Sequence, residues 1–226
     1  MSNQGMPPGR RERAKQDKRD RIMIAAREML AVHGVHGVTT QQIADKADVA
    51  IGTLYLYAST KAELLIMVQN QKFAAAIADG LAAAADKSAS SDRDAVSLVT
   101  ALIRPVVICV REHPENGRAY LHELIFGDPT EPYRSEGLTL ATRLETGISS
   151  ILERNTSISA STATLLARVI TAIVHISTTA TVFLHHSNAV LLADIREQIT
   201  AILGADRNPG NAAMRTPDPA PLSTSL

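Results

Sequence analysis

Residues 39–65 read TTQQIADKADVAIGTLYLYASTKAELL, and the helix starts within this stretch decide the fold. Thr39 and Gln42 stand three residues apart, the spacing of a capping box, in which a hydroxyl takes the N3 amide and the N3 side chain returns to the cap amide. Thr60 and Glu63 repeat that spacing. Between the two starts, Asp48 marks a break and residues 50–57 form a compact segment. Two short helices joined by a tight turn are the arrangement that offers a helix to the major groove of DNA. At about 100° per residue, a segment with Leu54 inward also turns Ala50 and Ala58 inward, while Gly52, Thr53, Tyr55 and Leu56 point away. That outward face has no charge. Either the segment is buried on both sides or the face approaches another surface closely. The second reading uses the residues better: hydroxyls reach phosphates or base edges, Leu56 packs on a thymine methyl, and Gly52 lets the backbone come near.

The order Thr39-Thr40, Ile43-Ala44, Ala47, Val49, GTLY at 52–55, Tyr57 and TKAELL at 60–65 resembles the DNA-binding domain of TetR-family transcriptional regulators, over residues 22–65. The resemblance implies an all-α chain: a three-helix helix-turn-helix head at 20–66, then a helical effector-binding and dimerisation body at 67–204, about nine helices in all. It places Thr40, Ala50, Ile51, Gly52, Thr53, Tyr55, Leu56, Tyr57 and Lys61 at groove-facing or phosphate-contacting positions. The chain departs from the family at Asp48, usually glycine, and at Ala50, usually serine or threonine. Aspartate accepts a left-handed turn at some cost. Alanine supplies no cap, a loss of about 1 kcal/mol unless Asp48 compensates.

Charge is balanced over the 226 residues, 23 basic against 23 acidic, but not evenly placed. Residues 1–61 hold 10 Lys or Arg and 6 Asp or Glu, which leaves 13 against 17 beyond. A basic amino-terminal end on a mildly acidic remainder suits a nucleic-acid-binding head on a body with another task. Aromatic content of 3% with no tryptophan argues against single strands held by base stacking. The first nine residues are polar, with Pro7 and Pro8, unlike a signal peptide. The longest apolar stretch, 169–184, is short for a membrane span and contains His175 and several threonines. No membrane association is expected, and the cytoplasm is the default location.

Along the chain, residues 1–9 are expected to be disordered, and Arg10 to Arg21 is dense in charge (RRERAKQDKRDR). It is either a phosphate- or minor-groove-contacting arm or a solvated extension of the first helix. Residues 1–19 are therefore set apart as a disordered or basic arm. A first helix over 20–33 carries the stripe Ile22, Ala25, Ala26, Met29, Leu30 and His33, ended by Gly34 and Gly37. In the second, Ile43, Ala44 and Ala47 face inward. A long helix over 60–85 links head to body through Leu64, Leu65, Val68, Phe73, Ile77 and Leu81. After a break at 88–92, with Ser91 or Asp92 as the next cap, a largely apolar helix over 94–112 contains Pro105, which is expected to kink it or to open a hydrogen bond near Ala101. That helix is a cavity wall or simply core. Helices over 115–126 and 133–155 follow. The last pair, 160–186 and 189–203, is more apolar than a monomer's exposed ends tolerate and reads as an antiparallel hairpin that forms a four-helix bundle with a second copy. Residues 205–226, rich in proline, read as a disordered tail.

Enzyme chemistry finds little support. His122-Glu123 begins an HExxH helix, but Phe126 stands where the second histidine belongs. His185 and His186 are adjacent and cannot point the same way on a helix, and His33 and His36 read as helix-end and loop residues. Cys109, the single cysteine, reads as a small buried apolar side chain. No metal, cofactor or catalytic residue is assigned, and no enzyme activity is expected. Phe73, Cys109, His113, Tyr120, His122, Phe126 and His175 are polar or polarisable groups on apolar helices, and as a set around the proline-containing helix they fit a pocket for a small, largely apolar effector. The expected function is a homodimeric repressor, released from a palindromic double-stranded operator by that effector. An effector-independent or activating regulator shares every head residue, and a helical enzyme or scaffold is the more distant alternative.

Overall fold

The computed structural model describes residues 9–89, 94–128 and 130–205. Most of the expected disorder at 1–9 and in the tail from 205 lies outside these residues, as do the candidate caps Ser91 and Asp92. Among the described residues all regular structure is helical. The head holds α1 (Arg10–His33), α2 (Thr40–Lys46) and α3 (Ile51–Tyr55); α4 (Lys61–Ala89) runs from head into body. The body adds α5 (Ala95–Arg111), α6 (Pro114–Phe126), α7 (Pro132–Asn155), α8 (Ala160–Thr179) and α9 (Asn188–Ala205).

Arg10–Arg21 is helical: α1 begins at Arg10, ten residues before the expected start at residue 20. Long straight side chains favour the helix, and Gln16 donates to Asp20 across one turn at 2.8 Å. The expected stripe is buried at Ile22, Ala25, Ala26 and Leu30, but His33 is exposed at the helix end. Gly34 then turns the chain at φ +68°, and a Cβ there would also strike the Glu115 side chain.

The Thr39–Gln42 capping box forms on both arms. The Thr60–Glu63 pair forms differently. Thr60 Oγ1 accepts from the Glu63 amide at 3.0 Å, but the Glu63 carboxylate reaches one residue further back, to the amide and hydroxyl of Ser59 at 2.7 and 3.0 Å. Head and body share α4: its Leu64, Leu65, Phe73 and Ile77 are buried in one continuous hydrophobic core with Ile22, Ile43 and Leu54 of the head. At Gly80, α4 meets α5 so closely that a Cβ would run into the Leu102 carbonyl. The α5 cap is Asp94, which accepts from the Ser97 amide at 3.1 Å. Around this pair α7 packs on α4, α9 on α5, and α8 on α7.

The helix expected over 160–186 ends seven residues early, at Thr179. Thr178 and Thr179 donate their hydroxyls to the carbonyls of Val174 and His175, both at 2.7 Å, using up acceptors of the last turn. The chain extends at Ala180 and makes a 3₁₀ turn at Thr181–Phe183. Arg111 on α5 holds that connection, donating to the carbonyls of Phe183, Leu184 and His186 and to Asn188 Oδ1 at 3.3, 3.3, 2.7 and 3.0 Å. Its guanidinium acts more than seventy residues away in sequence, beyond any local pattern. Among the described residues, α8 is the one helix long and apolar enough to cross a membrane, and only 28% of its most apolar window is buried within the chain. Leu165, Val169 and Ile176 stay exposed along it.

Candidate nucleic-acid interface and the cavity in the body

The turn between α2 and α3 is built around Asp48, the only described non-glycine residue with positive φ, at +52°. Such backbone costs a side chain about 1 kcal/mol, and aspartate tolerates it best after asparagine and glycine. Arg21 of α1 steadies it: one guanidinium nitrogen donates to both the Asp48 carbonyl and its carboxylate, each at 3.1 Å. The carboxylate is therefore not the cap that α3 lacks. Ala50 stands at the N-cap in extended backbone with no side-chain bond.

Ala50 is also exposed, contrary to its expected inward position, because the helix begins one residue after it and the helical angle does not apply there. Leu54 and Ala58 are buried as expected. Gly52, Tyr55 and Leu56 are exposed, Leu56 at 84% and Tyr55 at 46%, while Thr53 and Ile51 are half-buried. A Cβ on Gly52 would meet nothing within 4 Å, so its lack of a side chain answers no need of the folded chain. The Tyr55 hydroxyl sits 3.1 Å from Thr40 Oγ1, which joins α3 to the first residue of α2. Tyr57 is turned back, donating its hydroxyl to the Lys15 carbonyl at 3.0 Å and fixing the basic start of α1 against the motif. Lys61 donates to the Val38 carbonyl at 2.7 Å, an anchor that leaves two of its three N–H donors for another acceptor. Of the nine head positions, Ala50, Gly52, Tyr55 and Leu56 are exposed, while Thr40, Ile51, Thr53, Tyr57 and Lys61 are half-buried, Ile51 and Tyr57 against the core.

The seven body positions do not form one pocket. Phe73 and His175 line an apolar cavity of about 360 Å³ between α4, α5, α6, α7 and α8, with Leu121, Leu138, Thr171 and the loosely paired Arg168 and Glu145, 4.0 Å apart. His122 and Phe126 line a separate open groove of about 790 Å³, to which His175 also belongs. Tyr120 is buried in a hydrogen bond to Asn70 Oδ1 at 2.9 Å and packs edge-on to Phe73. His113 caps α6, accepting from the Asn116 amide at 3.5 Å. Cys109 packs on the core, and burial pushes its thiol up to about 11, with Glu112 adding to the shift and Lys72 opposing it. Burial also lowers the His175 pKa, favouring the neutral imidazole. Residue chemistry alone picked these groups. Arg168 and Arg118, which the structure places at the cavity and the groove, had no signal distinguishing them from solvated arginines.

Comparison with known proteins follows the same division. The family model for bacterial regulatory proteins of the tetR family matches residues 22–68, which comprise the three helices of the head and the start of α4. The chain is similar to the HTH-type transcriptional repressor KstR of Mycobacterium tuberculosis, 37% identical over 60 residues, 26% of this chain and 27% of that protein. Its Mycolicibacterium smegmatis counterpart is 35% identical over 60 residues, so the match spans little more than a quarter of these relatives' length. The fold of the whole chain resembles that of FadR from Thermus thermophilus, a TetR-family repressor solved with lauroyl-CoA: TM-score 0.61 at 20% identity, over 90% of this chain and all of that one. FadR from Bacillus subtilis, solved with stearoyl-CoA, gives TM-score 0.53 at 17% identity, over 80% and 97%. The head is thus matched in sequence by bacterial regulatory proteins of the tetR family, and the head-and-body architecture of the whole chain is the fold of solved TetR-family regulators.

Proposed function

We propose that the chain is a homodimeric cytoplasmic repressor that seats α3 of each head in the major groove of one half of a palindromic operator and leaves it when a small, largely apolar effector enters the body. The observation that carries this reading is the exposed, charge-free face of Gly52, Tyr55 and Leu56 at the centre of a basic head. Thr40, Ala50, Ile51 and Thr53 border that face; Lys61 meets phosphate, and Tyr57 holds the start of α1 where its cations reach the backbone of the duplex. The apolar stripe of α8, with α9 beside it, takes the second copy, as a four-helix bundle requires.

Two ties support communication between the effector cavity and the head. Helix α4 carries Lys61 at one end and the cavity residue Phe73 further along. Helix α6 lines the cavity with Leu121, Leu124 and Ile125, and its first turn grips the end of α1. There Asn116 donates to the Leu30 carbonyl and Glu115 accepts from the His36 amide, both at 2.7 Å. The two FadR neighbours were solved with acyl-CoA, but at 20% identity or less the shared property is the fold, so the effector class rests on this chain's own cavity.

Protection mapping of the intergenic DNA beside the gene tests the reading. A single protected palindrome whose binding weakens steeply with salt is expected. If the wild-type chain binds no such site, or if Tyr55→Ala and Lys61→Ala bind it unchanged, the reading fails. Linkage adds a second check: operator DNA must weaken effector binding by the same factor that effector weakens operator binding.

A further inference from the structure

His175 lines both the apolar cavity and the open groove. The two compartments differ in chemistry. The cavity walls are mostly aliphatic, and Arg168 and Glu145 there lie against each other. The groove runs between α6, α8 and the loop after α1, and its lining includes Arg118 with His36, His122, Glu115 and Glu123. Both carboxylates have neighbours of their own. Glu115 accepts from the His36 amide at 2.7 Å, and Glu123 lies 3.8 Å from His122 Nδ1. Arg118 is half-buried, and among the described residues no carboxylate is paired with it. A half-buried guanidinium with its donors free is a ready partner for a carboxylate or phosphate, which it can take in two parallel bonds.

The geometry points to a two-part binding site for an amphipathic anion: its apolar chain fills the cavity beside Phe73, it passes His175, and its anionic head meets Arg118 in the groove. This rests on the reading of the body as effector-binding and specifies the effector's class. The volume of about 360 Å³ lies at the small end of ordinary ligand pockets, enough for one chain, and the groove outside imposes little limit on the head group. The site also explains how occupancy reaches the DNA-binding end. Arg118 and Glu115 are one helical turn apart on α6, so an anion at Arg118 lies beside the carboxylate that clasps the His36 amide. Like charge brought next to that carboxylate weakens its hold on the head.

Titration calorimetry of the full-length chain with decanoate and with decan-1-ol, at pH 7.5 and below micelle formation, tests the site. The acid should bind about tenfold more tightly than the alcohol, the margin of a charge-assisted over a neutral hydrogen bond. Arg118→Gln should remove that margin while leaving the affinity for the alcohol and the melting temperature unchanged, and Arg118→Lys should restore part of it. Equal binding of acid and alcohol by the wild-type chain, or a margin that survives Arg118→Gln, overturns the anionic site while the apolar cavity stands. Binding of neither probe overturns the cavity reading and this site with it.

Discussion

Helices α3 and α8 both show water an apolar face without charge, yet the two faces suit different partners. That of α3 is one turn and a half long, mixes Leu56 with the hydroxyls of Tyr55 and Thr53, and is bordered by Lys61 and the basic start of α1. That of α8 runs over residues 165–176 of a 20-residue helix, with Leu165, Val169 and Ile176 exposed at 61%, 45% and 57%. Exposed apolar surface says that a partner is missing; its extent and its border say which kind. A short hydroxyl-bearing face with cations at its border is the kind that the proposed contact with the wet, anionic surface of a duplex would use. A long aliphatic stripe resembles half of a domain core, the kind of face that the proposed second copy would cover.

The sharpest way to break this contrast is to charge the α8 stripe. Leu165→Glu with Ile176→Glu should shift the sedimenting species from dimer to monomer and lower operator affinity by about 10²-fold or more, because two heads then bind without the gain of being linked. If the doubly substituted chain still sediments as a dimer, α8 is not the seam. Tyr55→Ala comes next. A side chain 46% exposed in the free chain has little to lose on truncation, so the melting temperature should stay within a few degrees. Operator affinity measured by mobility shift should fall by roughly 1–3 kcal/mol, the size of a good base-edge contact. An equal loss of stability would mean that the Thr40 bond, not DNA, is its purpose.

Lys61→Ala should weaken operator binding several-fold and reduce the slope of log affinity against log salt by about 0.9, one phosphate's worth. An unaltered slope would assign Lys61 solely to the Val38 carbonyl it already meets. The smallest effect on the fold is expected of Gly52→Ala. With open space around that Cβ and helical backbone, thermal unfolding should show unchanged or slightly higher stability, up to about 1 kcal/mol. Any loss of operator binding by this variant then reports close backbone approach to the duplex, and full retention would remove the reason offered for glycine at that position.

The head was largely legible because its signals are local. A capping box spans four residues, a left-handed turn is one residue, and the inward set Ile43, Ala44, Leu54 and Ala58 follows from helical periodicity. Where local reasoning failed, a contact distant in sequence had intervened. Arg21 engages Asp48 at a separation of 27 residues, and Glu115 with Asn116 reaches back to the end of α1 from about 80 residues on. Ala50 was misplaced by a single-residue error in the helix start, the boundary at which periodicity is weakest.

In the body, the buried aliphatic positions were equally plain, but the pocket was not. Polar side chains on apolar helices look alike in sequence whether they close a hydrogen bond, as Tyr120 does with Asn70, cap a helix, as His113 does, or line a cavity, as His175 does. By itself, then, the sequence determined an all-helical chain with a helix-turn-helix head, since short-range caps and periodicity suffice to specify both. Only the tertiary structure decided which faces stay uncovered, that α8 stops at Thr179, and that His175 lines both the apolar cavity and a groove holding Arg118. Those outcomes depend on how helices far apart in the chain pack side by side, which no local pattern encodes.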